Sequence, residues 1–210
     1  MEIFDIVIKL GTFLLAYMLG SIPWGLIIAR GLGHGDIRLH GSGNIGATNV
    51  RRVASTWPAI LTLIGDVTKG VIPIWIAITL SASKGTANTV YPFLVGLFTV
   101  TGHLFPVYLK FKGSGKGVAT AAGCFLVLAP LACFVAIVVF FIGACFANRI
   151  SVGSLLASAF LPIGVWLDTH SLEPALIAFI ISSLIFLRHK DNIKRILTGT
   201  ESVFREKKPP

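Results

Sequence analysis

Four polar segments interrupt an otherwise apolar chain, and each mixes cations with Ser, Asn, Thr or Gly. They are residues 42–52 (Ser-Gly-Asn-Ile-Gly-Ala-Thr-Asn-Val-Arg-Arg), 110–117 (Lys-Phe-Lys-Gly-Ser-Gly-Lys-Gly), 148–154 (Asn-Arg-Ile-Ser-Val-Gly-Ser) and 189–192 (His-Lys-Asp-Asn). Glycine lets the backbone approach a ligand closely. Hydroxyls and carboxamides donate hydrogen bonds, and an arginine offers a planar fork that matches phosphate oxygens. This is the chemistry of an anion pocket. The expectation is that the four segments build one such pocket at a bilayer surface, for an organic phosphate that meets a lipid.

In the first segment, Ser42, Asn44, Thr48 and Asn49 supply donors and Arg52 the fork. A helix starting near Ala47 puts Thr48 and Asn49 on the Arg52 face, four and three residues away. Arg51 reads as an ordinary loop cation. In the second segment, Lys116 stands just before a helix and is the natural phosphate contact, whereas Lys110 and Lys112 suit lipid headgroups equally well. Gly-Ser-Gly-Lys at 113–116 resembles the end of a P-loop. That pattern needs Gly where Lys110 stands and Ser or Thr where Gly117 stands, so nucleotide hydrolysis is rejected.

In the third segment, Ser151 is a candidate N-cap, which leaves Ser154 in the first turn at the positive end of the helix dipole. In the fourth, a helix over 188–197 clusters His189, Asn192, Ile193 and Ile196 on one face and Lys190, Asp191, Lys194 and Arg195 on the other. A polar pair on a buried face needs partners, and a ligand is one. By type, His189 is the best side chain to take a proton from an acceptor hydroxyl. The alternative is that it holds phosphate while a phosphate oxygen acts as base. Asp66 and Lys69, three residues apart in an apolar run, read as an ion pair supporting the site. His103, inside another apolar run, is either a packing residue or a further supporting one.

The elements that must position these residues are membrane spans. Of 210 residues, 54% are hydrophobic and 13% charged, which leaves little for a soluble domain. A single integral membrane domain over 1–210 is expected. The net charge of +9 lies beside apolar runs, where topology and an anionic lipid or substrate account for it better than nucleic acid does. Spans are expected near 4–29, 57–80, 90–109, 117–129, 131–147, 152–167 and 173–187, with Pro130 breaking the long run from 117 to 147.

Counting that run as two spans gives seven. Arg30, Arg38, Arg51, Arg52, Lys110, Lys112, Lys116, Arg149, Arg188, Lys190, Lys194, Arg195, Arg205, Lys207 and Lys208, 15 of the 18 basic residues, then share one side. Lys9 and Lys84 fall opposite. The positive-inside rule sets that basic side in the cytoplasm and the N-terminus outside. Spans two, four and six then begin at the cytoplasmic face, where their free N–H groups suit an anion. Glu2 and Asp5 in place of a basic leader argue against a cleaved signal. Cys124, Cys133 and Cys145 lack metal-ligand spacing and read as small core residues. No metal or cofactor is expected.

At these residues the chain resembles the bacterial acyl-phosphate-dependent glycerol-3-phosphate acyltransferases. The likeness rests on Ser42-Gly-Asn-x-Gly-Ala-Thr-Asn-x-x-Arg52, on Gly102-His-x-x-Pro-Val107 with the Lys-Gly-Val-Ala-Thr120 run, on Ser151-x-x-Ser154, and on His189-x-x-Asn192 followed by Leu197-Thr-Gly199. The resemblance implies an all-helical, seven-span inner-membrane enzyme with a cytoplasmic-facing site. Such an enzyme moves a fatty acyl group from acyl phosphate to the sn-1 hydroxyl of glycerol 3-phosphate, giving lysophosphatidic acid and phosphate, the first step of phospholipid synthesis. The enzyme that makes acyl phosphate is an implied partner.

Carried over by motif, the key positions fall on Ser42, Arg52, Lys116, Ser154, His189 and Asn192. The family usually reads Lys-Gly-Gly-Lys-Gly where this chain has Lys112-Gly-Ser-Gly-Lys116, one residue longer upstream of Lys116. An organic-phosphate transporter or channel is the competing class, although no inverted repeat is visible. A non-catalytic lipid-binding scaffold would not need His189 and Asn192 facing inward. None of His34, His40, His103, His170 or His189 has Asp five residues later, against the soluble type of acyl-CoA acyltransferase.

Overall fold

A computed structural model of the chain describes residues 2–82 and 90–204. Among these every regular element is helical. The chain divides into two compact units, Met1–Leu128 and Ala129–Pro210. The first holds α1 (Glu2–Gly20), α2 (Trp24–Gly31), α3 (Ala47–Val53), α4 (Thr56–Ala82), α5 (Val90–Leu104) and α6 (Val118–Leu128). The second holds α7 (Pro130–Ala147), α8 (Ile150–Thr169), α9 (Leu172–Arg188) and α10 (Lys190–Leu197).

Among the described residues, five segments are long and apolar enough to cross a bilayer: Ile3–Gly20, Thr56–Ser81, Val90–Leu109, Pro130–Ala147 and Ile150–Thr169. The bent pair α9–α10 makes a sixth if counted as one span. The protein is thus an integral membrane protein. The expected span at 117–129 is α6, whose 11 residues rise only about 16 Å. Of the cations used to orient the chain, Lys84, Arg205, Lys207 and Lys208 lie outside the described residues.

The first expected span, 4–29, is corrected. It is two helices, because Pro23 has no N–H to continue α1 and restricts the residue before it. The Ile22 carbonyl freed there accepts a hydrogen bond from Lys69 Nζ at 2.8 Å. The break expected at Pro130 is present: Ala129 leaves the helical region (φ −152°, ψ 74°) and Pro130 opens α7. Within the first unit, α4 and α6 meet backbone to backbone. A methyl on Gly70 would strike the Thr120 carbonyl, and one on Gly123 the Val67 carbonyl. Small residues permit this approach, and van der Waals contact drives it where lipid removes the hydrophobic force. Ile74, Val95, Leu104 and Phe125 fill the surrounding core.

In the second unit, Ser182 Oγ donates to the Ser158 carbonyl at 2.6 Å across α8 and α9. The Asp168 carboxylate accepts from the Ala132 N–H at 3.1 Å. Cys124 and Cys133 are buried, but Cys145 is exposed beside Phe146 on the outer face of α7, against the expectation that all three are core residues.

Candidate active site

Asn49 organises the first polar segment. It opens the buried side of α3, and its Oδ1 accepts from the Ser42 N–H at 2.8 Å. Its Nδ2 donates to the carbonyls of Asn44 (2.8 Å), Ile37 (3.0 Å) and His40 (3.3 Å). Both donors and the acceptor are therefore used by the loop. Asn49, expected among the phosphate ligands on the Arg52 face, instead points inward and fixes the loop's shape. Asn44 Oδ1 accepts from the Gly46 N–H at 2.8 Å, a local turn that leads into α3. Ser42, Thr48 and Arg52 are left on the exposed surface of this loop and helix.

Just upstream, Asp36 binds two arginines. Its oxygens accept from Arg38 Nε (2.9 Å), Arg38 Nη2 (2.6 Å) and Arg30 Nη2 (2.8 Å). The Arg38 hydrogen bond is the main reason the carboxyl titrates well below the usual range. The Arg38 stem lies against Gly113, so the stretch just ahead of the first segment abuts the second.

The Gly-rich turn at 113–117 takes positive φ at Gly113 (62°) and Gly117 (88°). Ser114 is buried, and its hydroxyl makes no hydrogen bond among the described residues. Gly115 packs on the His103 ring so closely that a methyl there would overlap Nε2. His103 Nδ1 lies 3.2 Å from Thr120 Oγ1 and 3.6 Å from Asp66 Oδ1. Asp66 in turn pairs with Lys69 at 2.9 Å, the mutual ion pair expected from sequence. Lys116 is half-buried directly before α6.

The second unit gathers its polar residues around a carboxylate. Glu201 Oε1 accepts from Ser151 Oγ and from Asn192 Nδ2, each at 2.7 Å, while Oε2 accepts from Arg195 Nε at 2.7 Å. Burial pushes the Glu201 carboxyl up. The hydrogen bonds from Ser151, Arg195 and Asn192 and the Arg195 charge outweigh burial and hold it below its ordinary value. Ser151 is thus not the cap expected for α8. The N-cap is Arg149, because the helix starts two residues earlier, and the Ser151 hydroxyl goes to Glu201.

Ser154, one turn further along α8, donates to the Ile150 carbonyl at 3.1 Å. His189 occupies the 61° bend between α9 and α10 and is 1% exposed. Its Nδ1 lies 2.8 Å from the Ile185 carbonyl. A carbonyl only accepts, so Nδ1 carries the hydrogen and Nε2 of the neutral ring is the nitrogen that takes a proton. Asn192 is buried beside it, while Lys190, Asp191 and Lys194 face out, as the helical period predicts; Arg195, expected with them, is half-buried and turns to Glu201.

The profile of the family described as glycerol-3-phosphate acyltransferase matches residues 10–199. The chain belongs to the glycerol-3-phosphate acyltransferase family. Among its relatives in that family, the glycerol-3-phosphate acyltransferase of Syntrophotalea carbinolica is 47% identical over 194 residues, covering 91% of this chain and 95% of that protein. The one from Desulfotalea psychrophila is 44% identical, covering 92% and 97%. The fold matches the crystal structure of PlsY (YgiH), an integral membrane glycerol 3-phosphate acyltransferase, in its glycerol 3-phosphate form. The TM-score is 0.86 at 34% identity, over 94% of this chain and 96% of that one. Its lysophosphatidic acid form gives 0.84 at 33%, over 94% and 95%.

For this glycerol-3-phosphate acyltransferase, the structure brings together Ser42, Asn44, Thr48, Asn49 and Arg52 on one loop and helix. Asp66, Lys69, His103 and the loop before Lys116 form a second group, and Ser151, Asn192 and Glu201 a third. Glu201 escaped the sequence reading. Its only signal was indirect: a buried asparagine on a helix face requires an acceptor, and Glu201 is the acid that follows the Leu197-Thr-Gly199 turn.

Proposed function

We propose that this chain transfers a fatty acyl group from acyl phosphate to the sn-1 hydroxyl of glycerol 3-phosphate, releasing lysophosphatidic acid and inorganic phosphate. The observation that carries this is the match over 94% of the chain to an enzyme crystallised in both glycerol 3-phosphate and lysophosphatidic acid forms. The cationic, glycine-rich loops described above fit the same chemistry.

The acceptor oxygen attacks the acyl carbon, and the bond from that carbon to the phosphate oxygen breaks. Phosphate is already a good leaving group, so the protein's task is positioning and charge stabilisation. In this scheme Arg52 and Lys116 hold phosphate oxygens, with Ser42 and Thr48 as further donors on the same surface. Asn49 and Asn44 shape that surface. His189 Nε2 receives the hydroxyl proton, and Asn192 and Ser154 orient the reacting groups. Ser151 keeps Asn192 in place through their shared acceptor, Glu201.

The whole chain acts as one acyltransferase domain with seven crossings, α6 being a short one. Its basic loops face the cytoplasm of a bacterial inner membrane and its N-terminus lies outside, as the positive-inside rule favours. Membrane lipid and the enzyme that makes acyl phosphate are its partners. The test is purified protein with palmitoyl phosphate and glycerol 3-phosphate, assayed for phosphate and lysophosphatidic acid. Product from palmitoyl-CoA but none from palmitoyl phosphate rejects the donor. No product from either rejects the activity.

A further inference from the structure

We infer that Asp66, Lys69 and His103 form a positioning unit for the loop that presents Lys116. The pair Asp66–Lys69 is 3% exposed at each residue and lies in an apolar span. Packed apolar side chains at such a place are commonly as stable as a buried ion pair or more so, so stability alone does not explain it. What the pair supplies is a carboxylate held in register. Lys69 Nζ is fixed by Asp66 at 2.9 Å and by the Ile22 carbonyl at 2.8 Å, where the chain breaks between α1 and α2. The Gly70 and Gly123 contacts clamp this part of α4 onto α6.

Thr120 Oγ1 lies within hydrogen-bond distance of His103 Nδ1, at 3.2 Å, and sets the rotation of the ring, with the Asp66 carboxylate behind it at 3.6 Å. The opposite nitrogen, Nε2, then bears on Gly115. The ring is a wedge between the charged pair and the loop backbone, one residue from Lys116. Removing it lets the loop relax and displaces the ammonium without touching substrate. This inference rests on the reading that Lys116 contacts a substrate phosphate.

Steady-state kinetics on the full-length protein in detergent, with thermal unfolding measured in parallel, test it. Lys116→Ala is expected to raise KM for one substrate at least tenfold. His103→Asn, which keeps a polar group near Nδ1 and removes the contact with Gly115, is expected to raise the same KM at least fivefold with kcat within threefold. In the Lys116→Ala background it adds less than twofold. His103→Gln, whose amide reaches the Nε2 position, restores KM to within twofold.

Multiplying effects of His103→Asn and Lys116→Ala, or a lower unfolding midpoint with unchanged KM, overturn the inference while leaving the Lys116 reading intact. An unchanged KM in Lys116→Ala overturns both. If His103→Asn yields no folded protein, Gly115→Ala probes the same contact from the loop side. It is expected to give the same KM rise, absent in the Lys116→Ala background, and an unchanged KM overturns the inference.

Discussion

Replacing Glu201 with alanine removes one carboxylate and strands three donors. Hydrogen bonds to a charged group contribute about 1.5–3 kcal/mol each. Ser151 and Asn192 are buried at 6% and 5% exposure, so each falls in that range. Arg195 is 41% exposed, and its contribution sits near the surface value, at most about 1 kcal/mol. Because Ser151 and Asn192 share one oxygen, the losses overlap, and the expected cost is roughly 3–5 kcal/mol.

Glu201→Gln keeps an acceptor at the Oε1 position and loses the charge, so about half that cost is expected. The assay is the unfolding midpoint of the detergent-purified protein together with kcat/KM. Both are expected to fall in Glu201→Ala, because Asn192 loses its anchor. A Glu201→Ala protein that melts and turns over like the wild type refutes the idea that this carboxylate organises the second unit. The carboxyl sits below its ordinary value near 4.5, so the folded protein deprotonates more readily than the unfolded chain. Its stabilisation is therefore complete above about pH 4.5 and is lost as pH falls through the lower folded value.

Further outcomes are expected elsewhere. The same sign holds for Asp36, so an Asp36→Asn variant should show a flatter loss of stability in acid than the wild type, measured by thermal unfolding against pH. Arg52→Ala should lower kcat/KM roughly 10- to 200-fold with the unfolding midpoint retained, the worth of one charge-assisted contact; near-wild-type turnover removes Arg52 from the scheme. His189→Asn should abolish the limb of the pH–rate profile on which activity rises with pH, and a surviving limb with only KM raised assigns the ring to phosphate binding. Asn49→Ala leaves the Ser42 N–H and three carbonyls without their partner, at about 1–3 kcal/mol for each group that water does not reach. A lower midpoint together with weakened substrate binding is the expected readout, and a silent variant contradicts the loop-fixing role.

Local patterns were legible before the structure. The helical period put His189 and Asn192 on one buried side, the bend before α10 and its first turn, and residue types alone assembled the glycine-rich cationic loops. Proline was ambiguous. Pro73 and Pro162 sit inside unbroken α4 and α8, whereas Pro23 and Pro130 coincide with breaks. Neighbouring helices resatisfy freed backbone groups in membranes, so proline by itself does not decide a span's end. Lys69, 47 residues from the Ile22 carbonyl it caps, is invisible to any local window. Ser151 and Glu201, 50 residues apart, are hidden for the same reason. Asn49 failed differently: its type announced donors, but its direction depends on a single step of 100° around a helix, and the loop carbonyls claimed it first.

The brevity of α6 reaches beyond the protein itself. A rise of about 16 Å traverses only half of a hydrocarbon layer about 30 Å deep. In the proposed seven-crossing arrangement, lipids around α6 would have to compress, or water to sink to meet its ends. Bilayer thickness then becomes an environmental variable for this enzyme, and reconstitution into short-chain and long-chain lipids is a direct means of varying it.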